Sequence, residues 1–273
     1  MKKPWVQALV GTLALTVLQM LLSFLVPPSG AAPAAALGPV LLSNALTAAV
    51  LVWIGGHLRA RGLSRALVLW AVWGGIQAAS WMETLLFDLG IPRSHLPWLV
   101  LYTLAYSAGL SLVVALLPAA ATADDARTDA STPAWWRVAA CDGLYIGLYF
   151  AAGTLAWPYL RAFYEARPMP GTAAVVAMQV VRGLWFAAIV FLIVRQVRTS
   201  RGRAALAAAL AFGILGGVAP LLIPNPYLPD AVRWAHLPET GVSNFLFGLA
   251  AGWLLSPPAA ERSAAAAVAG ASV

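Results

Sequence analysis

Several stretches of this chain run for more than 18 residues with almost no charge. That is the length a helix needs to cross a hydrocarbon core about 30 Å thick. The first, WVQALVGTLALTVLQMLLSFLV, occupies 5–26. The chain has too little polar surface to cover such runs: 10% of its 273 residues are charged and 61% are hydrophobic, against roughly 25% charged in an average soluble domain. The runs are continuous, whereas a transmembrane barrel strand alternates apolar and polar residues over about ten positions. The sequence therefore predicts an all-α, polytopic membrane protein. It reads as one transmembrane bundle, 1–257, and a disordered tail, 258–273, rich in small residues and broken by proline.

Eight spans follow from the apolar runs and their stops: about 5–26, 39–57, 66–88, 97–117, 136–157, 172–194, 204–223 and 238–255. Pro27 and Pro28 close the first, and Pro158 closes the fifth. The only long polar loop, 119–134, falls at the middle of the chain. The first run is too long for a signal-peptide core and lacks an adjacent small-residue cleavage site, so it is read as a span.

An even number of spans places both termini on one side, and the basic residues choose that side. With the N-terminus inside, the inner ends carry Lys2, Lys3, Arg59, Arg61, Arg65, Arg127, Arg137, Arg195, Arg198, Arg201, Arg203 and Arg262. The outer ends carry Arg93, Arg161, Arg167 and Arg233. Twelve against four is a strong positive-inside bias. Trp5, Trp98, Trp135, Trp136, Trp157 and Trp234 fall near predicted span ends, as an interfacial aromatic belt requires. Both termini are therefore expected to be cytoplasmic.

The same bias explains the formal charge of +7 without nucleic acid. The lysines stop at Lys3, so no embedded amine is present for a Schiff base and no P-loop lysine exists. A single cysteine, Cys141, excludes an intramolecular disulfide and cysteine-built metal clusters.

Function is read from ionisable groups within spans, because each is costly there. Arg182 lies about ten residues into span 6, roughly 15 Å deep at 1.5 Å per residue. It must face the bundle and hold a partner. Gln179, three residues earlier, shares its face. On span 3, Gln77, Ser80, Glu83 and Thr84 form one stripe, with Glu83 in the outer half. Span 8 carries Glu239, Ser243 and Asn244, with His236 just before. Arg182, Glu83, Glu239 and His236 all map to the outer half and are expected to form one cluster. Secondary candidates are Asp142, Tyr145 and Tyr149 on span 5, and Asn44 on span 2.

His236 and Glu239 have two readings. In the first, which sets the span at 238–255, Pro238 opens the helix and Glu239 sits in its first turn, where a carboxylate suits the positive end of the dipole. In the second, the helix begins near Asp230, Pro238 kinks it, and both side chains line a cavity.

A His–x–x–Glu pair gives two metal ligands where catalytic zinc wants three, so no metal is expected. The three histidines, His57, His95 and His236, cannot build more than one bis-histidine haem site, and no cofactor is expected. Intramembrane protease signatures such as HExxH and GxGD are absent. The segments SNALTAAVLVWI (43–54) and SNFLFGLAAGWL (243–254) share Ser, Asn, Leu and Trp at equal offsets, too few matches to establish a repeat.

The stretches NPYLPDAVRWAHLPETGVSNFLFGLAAGWLL and IQAASWMETLLF resemble a family of bacterial multi-pass membrane proteins with no assigned activity. The resemblance covers most spans and adds weight to Gln77, Glu83, Arg182, His236, Glu239 and Asn244. The expected partners are the lipid bilayer and a small-molecule or ion ligand, with oligomeric state open. The leading expectation is binding or transport of a small solute or ion, with Arg182 holding an anionic group or a carboxylate gate. An embedded enzyme acting on a lipid or isoprenoid, with Glu239 or Glu83 as acid/base, and a structural or assembly subunit are the alternatives.

Overall fold

The computed structural model describes residues 3–24, 37–118, 132–197 and 200–256. The expected tail 258–273, the stop at Pro27 and Pro28, most of the 119–134 loop, and Lys2, Arg127, Arg198 and Arg262 lie outside them. The described chain forms eight rods: α1 (Pro4–Ser23), α2 (Leu37–His57), α3 (Gly62–Leu86), α4 (Leu96–Leu116), α5 (Trp135–Glu165), α6 (Thr172–Gln196), α7 (Arg201–Leu222) and α8 (Asp230–Leu255). The middle of α7, Ala211–Val218, is π-helical.

Six of these rods, α1, α2, α4, α5, α6 and α7, are long and apolar enough to cross a membrane. The other two, α3 and α8, carry Glu83 and the His236–Glu239 pair.

The rods alternate in direction. At one end, Gln7 Nε2 at the start of α1 and Arg65 Nη1 at the start of α3 donate to the Pro118 and Leu117 carbonyls after α4. There too, the Arg59 amide after α2 donates to the Gln196 carbonyl at the end of α6, and Arg201 Nε at the start of α7 donates to the Trp253 carbonyl in the last turn of α8. This end gathers Lys3, Arg59, Arg61, Arg65, Arg137, Arg195, Arg201 and Arg203, and is the basic end. At the opposite end, His95 Nδ1 lies 3.4 Å from the Tyr227 hydroxyl, and the Phe87 ring meets Tyr164 edge-on.

Two helix boundaries differ from expectation, both at proline. The fifth helix was expected to stop at Pro158 but runs on to Glu165. Proline withholds one N–H and crowds the carbonyl four residues back, here that of Thr154. Packing on both sides of the proline, where Ala156 and Leu160 bury against Val232 of α8, outweighs that local penalty. At 31 residues α5 is about 46 Å long, so its last turns stand at the end opposite the basic residues.

The last helix likewise starts at Asp230, not at Pro238. Asn225 Oδ1 accepts from the amides of Tyr227 and Leu228 and folds the NPYLP turn before it. Arg233 is buried, donates to the Leu221 and Leu222 carbonyls that end α7, and pairs with Asp230 at 2.8 Å. An arginine expected at an interface thus caps a helix inside the fold. Arg65 is buried in the same way.

α7 and α8 pack through small residues, so their backbones nearly touch. A Cβ on Gly248 would lie 2.6 Å from the Ala208 carbonyl oxygen, and one on Gly217 would lie 2.8 Å from Gly241 Cα. Close approach of this kind gives dispersion contact where the hydrophobic effect gives none between lipid-solvated helices. Gly248→Ala should therefore destabilise by about 1–3 kcal/mol through overpacking. Gly143→Ala, on an open face of α5, should be neutral or stabilising by up to about 1 kcal/mol. Thermal unfolding in detergent separates the two; equal midpoints would contradict the close packing.

Candidate functional site

Five rods close a ring: α3 packs on α6, α6 on α5, α5 on α8, α8 on α7 and α7 on α3. Inside the ring is a partly open cavity of about 520 Å³. At its base is Tyr145, which belongs to a cluster of four rings. Tyr145 meets Phe186 at 5.1 Å and Phe247 at 5.4 Å between centroids, and Phe212 meets Phe186 at 4.8 Å and Phe247 at 5.3 Å. All four are buried. The lining climbs from there past Phe87, Leu89, Met169 and Leu228 at the helix ends. The cavity therefore belongs to the half of the bundle away from the basic end.

One wall holds Arg182. It sits ten residues after the start of α6, about 15 Å along the helix. Its Nη1 donates to Glu83 Oε2 of α3 at 2.8 Å, and Glu83 Oε1 accepts from the Tyr149 hydroxyl of α5 at 3.0 Å. Three helices are tied through one carboxylate. The Arg182 side chain is 9% exposed and that of Glu83 33%, so the carboxylate faces the cavity while the guanidinium is covered. The expected pairing of Arg182 with one of the two carboxylates is present, with Glu83 as the partner.

The other wall holds Glu239, His236 and Tyr164. Helical spacing puts His236 and Glu239 on one face of α8, and His236 Nδ1 lies 2.5 Å from Glu239 Oε2. His236 Nε2 lies 3.0 Å from the Tyr164 hydroxyl of α5. An ionised carboxylate only accepts, so Nδ1 carries a proton here; with a neutral ring, Nε2 accepts from Tyr164. The order is carboxylate, imidazole, phenol. Because the helix continues through Pro238, the reading in which that proline opens the helix gives way to the one in which both side chains line a cavity.

Tyr164 was not anticipated. The signal was in the sequence: Tyr145, Tyr149, Gly153, Leu160 and Tyr164 recur at helical spacing and line the cavity together. The stop placed at Pro158 hid it. Gly153 faces Glu239, whose Oε1 would lie 3.7 Å from a Cβ there.

The remaining candidates divide. Gln77, Ser243 and Asn244 line the cavity. Gln77 Nε2 donates to the Leu215 carbonyl of the π-helical segment at 3.0 Å. Gln179 is fully buried outside the lining, and neither of its amide atoms has a hydrogen-bond partner among the described residues; nothing in the structure explains this. Asp142 lies one turn toward the basic end from Tyr145, against Gly183 of α6.

Asn44 belongs elsewhere. It accepts from Tyr106 at 2.7 Å and donates to Thr16 and Gln19, joining α1, α2 and α4. Ser43 donates to the Ala219 carbonyl. The two Ser–Asn pairs of the similar segments thus have unrelated surroundings.

The cavity hydroxyls of Ser80, Thr84, Thr240 and Ser243 each donate to the carbonyl four residues back, which occupies the proton a serine nucleophile would surrender. Among the described residues no group of three or more His, Cys, Asp or Glu gathers as a metal site. Comparison with protein-family models, with curated proteins and with solved structures finds no match.

Removing one member of a buried ion pair leaves the other uncompensated. Arg182→Gln alone should lower stability by about 2 kcal/mol, the partial exposure of Glu83 moderating the loss. Arg182→Gln with Glu83→Gln should recover to within about 1 kcal/mol of the parent. Denaturation of the purified protein in detergent checks this; a double variant no better than the single would deny the coupling.

Proposed function

We propose that this chain is an integral protein of a bacterial inner membrane, crossing it eight times with both termini cytoplasmic. Its outer-half cavity binds a small amphiphilic solute as a step in transport. Six apolar rods, their alternating directions and the concentration of arginine at one end support the topology. On this reading α3 and α8 also cross, their polar side chains turned to the cavity.

The observation that carries the binding role is where the expensive groups stand. Glu83, Arg182, His236 and Glu239 line an open space of about 520 Å³, within the usual range for a small-molecule site. A purely structural cluster is best served by dry, mutual pairing. The walls between these groups are apolar and aromatic, which suits a solute with a polar group on an apolar body. Transport requires the four-ring cluster at the base to part. Phe212 stands in the π-helical segment, a form often found at functional sites in helices.

A second reading rests on the Glu239–His236–Tyr164 order. A carboxylate that orients an imidazole against a phenol is also an acid–base device, and the same cavity would then hold an amphiphilic substrate for an embedded enzyme.

Cysteine labelling tests the topology. On a Cys141→Ala background, Arg93→Cys should react with an impermeant maleimide in intact cells and Ser200→Cys should not. Labelling at position 200 from outside would end the eight-span model. Binding is tested by thermal shift of the purified protein against small amphiphiles of varied charge. Some should raise the midpoint of the parent, and Gly153→Phe, which fills the cavity against Glu239, should lose that response. A filled variant that responds like the parent, or a parent that responds to none, would leave the structural role as the better account.

A further inference from the structure

Resting on the binding reading above, we infer that the cavity selects a monovalent organic cation, held by Glu239 within a wall of aromatic rings. Besides its phenols, the lining contains four ionisable side chains: Glu83, Arg182, His236 and Glu239. Arg182 and Glu83 face each other at 2.8 Å and cancel. The guanidinium, expected from sequence to hold an anionic group, is already committed to Glu83. Among the described residues no other lysine or arginine lines the cavity. Glu239 has His236 as its partner. Glu239 is thus the lining carboxylate that no guanidinium engages.

The rings agree with that sign. Six lining side chains are aromatic: Phe87, Tyr145, Tyr149, Phe150, Trp157 and Tyr164. Three of them adjoin the Glu239 wall. Tyr164 lies 5.9 Å from the His236 ring, 6.4 Å from Trp157 in near-parallel stacking, and 5.8 Å from Phe87. Trp157 is one helical turn beyond Gly153, the residue that Glu239 faces. Aromatic faces attract cations through their quadrupole, and most strongly where water is scarce. They offer nothing comparable to an anion. A substituted ammonium meets a carboxylate and several aromatic side chains here, whereas a carboxylate or phosphate meets Glu239 with no uncommitted lysine or arginine among the described lining residues to offset the repulsion.

The test uses three probes of similar shape and different charge: benzyltrimethylammonium, the neutral benzyl methyl sulfone, and the anionic benzylsulfonate. The whole chain is placed in zwitterionic lipid nanodiscs at pH 8, and binding is measured by titration calorimetry against empty discs. The cation should bind at least tenfold more tightly than either of the others. Glu239→Gln should weaken the cation tenfold or more and leave the sulfone unchanged. Should that variant fail to fold, Trp157→Leu on the exposed rim carries the test, with a severalfold fall in the preference for the cation.

Sulfone or sulfonate binding as tightly as the cation overturns the inference while keeping the cavity as a binding site. So does a preference for the cation that survives whichever folded variant is tested. If none of the three binds, this inference falls together with the reading it rests on.

Discussion

A guanidinium about 15 Å along a helix that is apolar on every other face sets the terms for this bundle. An unpaired arginine at bilayer depth costs at least about 2.5 kcal/mol, so Arg182 must have a carboxylate within reach. Glu83 meets it from α3, and Tyr149 meets Glu83 from α5. The pair fixes α3 against α6, and the phenol brings α5 to the same point. Helices so joined in the half away from the basic end leave a space between them, and that space is the cavity. One electrostatic requirement thus produces both a structural clamp and the polar wall of a site.

The opposite wall depends on a different force. α8 presses its glycines against the backbone of α7, where no bulkier residue would fit. That contact places the α8 face bearing His236, Glu239 and Asn244 toward α5 and the cavity. The π-helical turn of α7 lies in the same contact region, steadied by Gln77 from α3 through the Leu215 carbonyl. The firmest packing in the ring lies next to its least regular helix.

Much of the fold was legible in composition and periodicity. Helix positions followed from apolar runs, because water-free surroundings leave the backbone few alternatives. That Arg182 needs a carboxylate partner followed from cost, since few carboxylates stood at a matching depth. Both errors came from proline. Local chemistry makes Pro158 a stop and Pro238 a start, and both are instead interior residues of longer helices. The balance tips on packing around each proline, between residues far apart in the chain. Ala156, Leu160 and Val232 have no sequence mark that they will meet.

The sequence by itself determined the class of protein, the direction of its charge asymmetry and the side chains too costly to face lipid. Those are properties of single segments and their transfer free energies, and each segment carries them wherever it lies. Only the tertiary structure decided which of these side chains share a space. It joined Tyr164 to His236, committed Arg182 to Glu83, and sent Asn44 to a separate network with Tyr106. Helical periodicity gives the face on which a residue lies, but not the neighbour that face meets. That choice is made by backbone closeness and pairing across the bundle, as where Gly248 fits against Ala208.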